Sequence, residues 1–177
     1  MTPEERKDRI KYLARKEDRK KRLPGLLKDL MEITQEVFTE NDVLTLEQID
    51  ALKTNINASG FNFTHLNLSF PKNQSEDLKK LLSEMVNELS QTNYFRLYSF
   101  SDIAVLTTNT NFIIHNFEEI INLDQDLFTV YDSHLENGLW IDLNEEFRYE
   151  INNSERIWIY EVRIFGKDWI KKVSAKL

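Results

Sequence analysis

Apolar residues recur at three- and four-residue intervals through most of the first half of this chain and alternate with polar ones through most of the second. These are the periodicities of a one-sided helix and of a half-buried strand. Thr2 is a helix cap, Pro3 suits the first helical position, and Glu4 and Glu5 favour the positive end of the dipole. The helix they start is predicted over Thr2 to Leu23. Its apolar face is thin, essentially Ile10, Tyr12, Leu13 and Leu23, so it is expected to be a solvated arm whose removal costs little stability. Pro24-Gly25 is expected to break it and start a second helix that buries Leu26, Leu27, Leu30, Met31, Ile33, Val37 and Phe38. After a polar turn at Glu40 to Asp42, Thr45-Leu-Glu-Gln48 has the form of a capping box, and Leu46, Ile49, Leu52 and Ile56 continue that helix to near Gly60.

Alternation over Phe61 to Phe70 predicts a strand with Leu66, Leu68 and Phe70 on one side, ended by Pro71. Ser75 is expected to cap a helix burying Leu78, Leu81, Leu82, Met85 and Leu89. Two short strands, Tyr94 to Phe100 and Ile103 to Thr107, and a short helix from Asn111 to Asn122 follow. The last third reads as a meander of four strands: Leu127 to Asp132, Gly138 to Leu143, Phe147 to Ile151 and Arg156 to Phe165. Trp158, Tyr160, Val162 and Ile164 share one face of the last strand, and Ile157, Ile159 and Phe165 share the other, which predicts a central position in the sheet. The fold class expected is α+β: an antiparallel sheet, with a meander in the C-terminal half, packed with several helices from the N-terminal half. The domain organisation expected is a basic helical arm, 1–23, and a single α+β domain, 24–177.

Composition adds that 177 residues suffice for a core without a disulfide or metal, and that with no cysteine there is no thiol chemistry. An N-terminus without an apolar export segment, and no run of about 18 apolar residues, lead us to expect a cytoplasmic protein with no membrane association. Charge changes the picture more. The net −7 is uneven: residues 1–22 hold ten Lys/Arg against five acids, and residues 117–155 hold eleven acids against Arg148 alone. Aromatics run through the acidic window, which suits a surface that anchors and steers a basic protein.

Candidate chemistry is sparse. Asp132, Ser133, His134 and Glu136 could contribute to a metal site, but they precede Asn137-Gly138 and read as the polar loop of a hairpin. His65 and His115 have no relay partner at a telling spacing, and are read as structural. No catalytic, cofactor or metal-binding residue is assigned, and no enzyme activity is expected. The partner-binding candidates are Asp132, Glu136, Trp140, Asp142, Glu145, Glu146 and Tyr149.

In character, the acidic and aromatic DSHLENGLWIDLNEEF segment from Asp132 to Phe147 resembles the immunity proteins that bacteria make against polymorphic and contact-dependent toxins. That resemblance implies a non-catalytic inhibitor in which an acidic face occludes the basic active-site face of a toxin, for instance a nuclease. The alternative is a regulator that touches nucleic acid through the basic N-terminal helix. A third reading is a hydrolase with paired carboxylates, such as Asp142 with Glu145 and Glu146.

Overall fold

The N-terminal helix owes its start to a reciprocal cap: the Glu5 N–H donates to Thr2 Oγ1 at 3.2 Å, and the Thr2 N–H donates to the Glu5 carboxylate at 2.7 Å. In the computed structural model, which describes residues 1–58, 64–150 and 153–175, and the side chains of these except 58, 147–150 and 153–155, this helix (α1) runs unbroken over Pro3–Thr34. The break expected at Pro24-Gly25 does not occur. Leu23, Leu26, Leu27 and Leu30 are buried on both sides of it, and Pro24 is exposed, so the backbone group left unpaired by the missing N–H lies on the wet side. Tertiary burial outweighs a local propensity here.

The other helices are α2 (Leu46–Ala58), α3 (Ser75–Glu84), α4 (Val86–Leu89), α5 (Ile113–Asn122) and α6 (Lys167–Ser174). The capping box of α2 forms, with Gln48 N–H on Thr45 Oγ1 at 3.3 Å and Thr45 N–H on Gln48 Oε1 at 2.8 Å. Ser75 does not cap α3: a single turn of 3-10 helix over Lys72–Gln74 leads into it, making Ser75 the first helical residue.

Six strands form one antiparallel sheet in the order β1-β6-β5-β4-β2-β3: β1 (His65–Pro71), β2 (Thr92–Leu97), β3 (Leu106–Asn109), β4 (Leu127–Asp132), β5 (Gly138–Glu150) and β6 (Asn153–Phe165). The fold is therefore α+β, and β6 is interior to the sheet. The predicted strand at 61–70 begins at His65, with 61–63 outside the described residues. The strands expected over 94–100 and 103–107 overlap β2 and β3 but are shifted, because Tyr98–Phe100 turns as 3-10 helix and β3 starts only at Leu106. The two strands expected over 138–143 and 147–151 are one, since β6 supplies partners all along β5, from Gly138↔Phe165 to Glu150↔Asn153; residue 151 lies outside the described residues.

One sheet face packs on α3, α4, α5, α6 and the second half of α1, with Phe95, Phe117, Phe128 and Tyr160 among the fully buried side chains. The other face meets α2 near β2 and β3, where Leu46, Ile49 and Leu52 cluster with Val105, Tyr94 and Leu135. Helix α1 joins the two layers by crossing the β3 edge. Its Arg19 guanidinium donates to the carbonyls of Leu44 and Ile103, and Arg15 donates to the Asp102 carbonyl at 2.8 Å and to Asp50. Tyr12 Oη donates to Glu47 at 2.5 Å. The arm is thus tied down from Tyr12 onward, and the expected solvated character holds only for the residues before it. No described helix is long and apolar enough to cross a membrane.

Candidate functional site

Strands β5 and β6 outrun their neighbours. Strand β4 pairs with β5 only as far as Leu127↔Asp142, and β1 pairs with β6 only as far as Pro71↔Ile159. Beyond these positions the two strands have only each other as strand partners among the described residues, so a ribbon roughly 25 Å long projects from the sheet.

Strand alternation then sorts the candidates. Leu139, Ile141 and Leu143 point into the core, which puts Trp140, Asp142 and Glu146 together on the opposite face of β5. Trp140 is half-buried, with the Arg163 guanidinium 5.1 Å from its ring centroid. Glu145 lies on the core side of the ribbon and pairs with Arg156 at 3.4 Å. Asp132 and Glu136 are at the other end of β5. There Asp132 holds the loop, accepting from the Glu136 N–H at 2.9 Å and from Asn137 Nδ2 at 2.7 Å, while Glu136 is exposed. The hairpin-loop reading of 132–136 is correct, and the Tyr149 side chain lies outside what is described. The chosen residues therefore do not form one patch.

What the strands do bring together was not evident from the sequence. Asp142 stands directly opposite Glu161 in the ladder, and Asp126, from the turn before β4, acts on the same group. Desolvation is the largest influence pushing the Asp142 carboxyl up, and Glu161 and Asp126 push it further against the opposing hydrogen bond from Asn144. Asp126 also acts through the sheet on Tyr160: burial first, then Glu118, Glu119 and Asp126 raise that phenol to about 12. An acidic collar therefore surrounds the base of the ribbon. On this face Ile159 and Tyr131 are buried but belong to neither helix-packed cluster.

The sign of the stability effect follows. A carboxyl whose folded pKa lies above the unfolded value of about 3.8 stabilises the fold below that value, and loses this contribution as pH rises through the folded pKa. At neutral pH ionised Asp142 opposes folding. Asp142→Asn is expected to raise the melting temperature at pH 7 by about 1–2 °C and to give no gain near pH 3, as followed by melting curves over that range. An equal gain at both ends would show that ionisation is not the cause.

The three histidines are exposed, on β1, on α5 and in the β4–β5 loop, so His65 and His115 are not core residues. Among the described residues no group of three or more His, Cys, Asp or Glu could hold a metal ion. Compared with family profiles, with curated proteins and with solved structures, the chain finds no match in any of the three.

Proposed function

We propose that this chain is a non-catalytic binding protein that holds a basic protein partner on the acidic face at the base of the β5–β6 ribbon. The observation that carries this reading is the convergence of acids on one site: Asp142 stands opposite Glu161 in the ladder, and Asp126 acts on the same carboxyl, which burial already pushes up. Carboxylates held together at some expense to the fold are stabilised when a partner's cation reaches them. In its specific form the proposal is an immunity-type inhibitor, covering the cationic groove with which a toxin such as a nuclease grips phosphates. The hydrolase reading has less support, because Glu145 lies on the opposite face of β5 from Asp142 and Glu146 and pairs with Arg156, so these carboxyls do not flank one cleft as glycoside hydrolysis needs.

The test is capture by the immobilised protein from extracts of its source, at low salt and at 0.5 M, where the Debye length is about 4 Å. A basic polypeptide is expected at low salt, released at high salt, and lost from a folded Asp142→Lys, Glu146→Lys, Glu161→Lys variant. Retention by that variant would remove the acidic face from the interface.

One observation favours the nucleic-acid reading. Arg6, Arg9, Lys16 and Lys20 follow one another by three, seven and four residues, which places them on one stripe of α1. All four are exposed, and none makes an ion pair. If this stripe grips phosphates, binding to a 20-base-pair DNA should fall with salt at a logarithmic slope of about −3.6, measured by fluorescence anisotropy. A slope unchanged in an Arg6→Glu, Lys16→Glu, Lys20→Glu variant would end that reading.

A further inference from the structure

Beside the β4–β5 loop, on the helix-packed side of the sheet, four elements enclose a cavity of about 380 Å³. Its lining includes Glu88 from α4, Asn93 from β2, Asp132 from the end of β4, Ser133 and His134 from the loop, and Trp169 from α6. Asp132 stands directly opposite Asn93 in the β2–β4 ladder. The volume falls within the roughly 300–1,000 Å³ of sites for small organic molecules.

The polar atoms of this lining are unevenly served. Asn93 is 1% exposed, and its Nδ2 donates to the Glu88 and Gln91 carbonyls, each at 3.0 Å, and to Thr110 Oγ1 at 2.9 Å. Its Oδ1 is buried and has no hydrogen-bond partner among the described residues. The amide cannot be turned over to mend this, because its oxygen would then face those two carbonyls. Glu88 pairs through Oε1 with the Lys172 ammonium, while its Oε2 is likewise buried without a partner among the described residues.

Two buried acceptors without a donor call for something that completes them, and both belong to residues of one cavity. The missing group is a donor. With two carboxylates and no lysine or arginine in the lining, a cationic donor is favoured over a neutral one. A bare metal ion fits less well, since no group of three or more His, Cys, Asp or Glu among the described residues could hold one. An ammonium group brings several N–H donors, and Trp169 offers an aromatic wall to the carbon chain behind it.

We propose that this cavity binds an alkylammonium group, which donates to Glu88 Oε2 and Asn93 Oδ1 and lays its carbon chain along Trp169. Lys172 is then a built-in competitor, holding one oxygen of Glu88 and leaving the other. The site is independent of the acidic face at the base of the ribbon, because Asp132 and that face lie at opposite ends of β5.

The test is nuclear magnetic resonance of the isotope-labelled full chain at pH 7, following the Asn93 side-chain amide and the Trp169 indole as n-butylamine, charged at that pH, is added. Saturable shifts are expected, half complete at about 1–10 mM for so small a ligand. Tetramethylammonium, a cation without N–H donors, and n-butanol, a donor without charge, should each bind about tenfold more weakly. Glu88→Gln with an unchanged melting curve should weaken n-butylamine about tenfold, and Lys172→Met, which removes the competing cation, should tighten it about threefold. If Glu88→Gln melts early, the probe series and Lys172→Met decide the matter. N-acetyl-lysine amide binding as well as n-butylamine would make a partner's lysine side chain the source, and weaker binding would make it a free amine; both support the site. Absence of any saturable shift, as when a buried water alone serves the two oxygens, would overturn the proposal. So would equal binding of tetramethylammonium, full binding to Glu88→Gln, weaker binding to Lys172→Met, or calcium ions moving the same signals at lower concentration.

Discussion

Gly166→Ala is expected to lower the melting temperature by about 10 °C or more. Gly166 links β6 to α6 at φ +84°, a backbone conformation that L side chains rarely adopt. A Cβ there would press on Asn137 Oδ1 and the Glu136 carbonyl and lie 2.8 Å from Asn137 Cα. These are backbone and buried atoms that have little room to yield. Asn137 is itself a hub: its Nδ2 donates to Asp132 Oδ2, its carbonyl accepts from the Asp132 N–H, and its Oδ1 accepts from the Trp169 N–H at 3.4 Å. Backbone strain of roughly 1–3 kcal/mol and overpacking of similar size act together. Gly25→Ala is the control, since no atom lies within 4 Å of the added carbon and the site is inside α1. It is expected to raise the melting temperature by about 2 °C, through the propensity gain alone. Melting both variants in parallel decides the matter, and a Gly166→Ala protein as stable as the native one would mean that the 132–137 loop can move aside.

Most of the elements were legible in the sequence, and where expectation failed the cause is tertiary. The apolar spacing of Leu78, Leu81, Leu82, Met85 and Leu89 gives the buried face of α3 and α4, though not the turn at Met85 that divides the one expected helix into two, and Thr45 with Gln48 gives the start of α2. Both depend only on near neighbours in the chain. Pro24 misleads because its penalty is local, whereas burial of four leucines around it depends on α5 and the sheet, far away in sequence. The site was harder to read. Which carboxylates meet is set by the β5–β6 register, and a one-residue slip would have turned every side chain to the other face. Asp142 and Asp126 both lie in the acidic window, the latter in a turn, but Glu161 lies outside it in sequence. Trp158 shares its phase with the buried Tyr160 and Val162, yet it is exposed. Nothing in a phase tells where the helices that cover it end.

Removal of residues 1–22 is the second large effect expected, and it reverses what the thin apolar face of that segment implies. Exposed side chains can still anchor a helix when they reach carbonyls on another layer. Arg19 is half-buried and serves the carbonyls of Leu44 and Ile103, whose segments flank the β3 edge; burial lowers its pKa, from a value so high that it stays charged. Arg15 bridges the Asp102 carbonyl and the Asp50 carboxylate, and the Arg22 guanidinium lies 4.2 Å from the Phe100 ring centroid. Hydrogen bonds from charged groups contribute about 1.5–3 kcal/mol each when sheltered and less when wet, so the loss together is roughly 3 kcal/mol. For a domain of this size that is a fall of roughly 6–12 °C. The same truncation also leaves α2 without the helix that closes its outer flank, so the Val105 cluster should be the first part to loosen, visible as faster amide exchange in α2 and β3. Truncation of residues 1–11 alone stops short of Tyr12 and removes none of these three arginines. It is expected to shift the melting temperature by less than about 2 °C, and Arg19→Ala in the full chain should reproduce a substantial part of the longer truncation. If the 1–22 deletion melts with the native protein, the contacts of Arg15 and Arg19 contribute nothing measurable, and α1 before Leu23 is the solvated arm that its sequence describes.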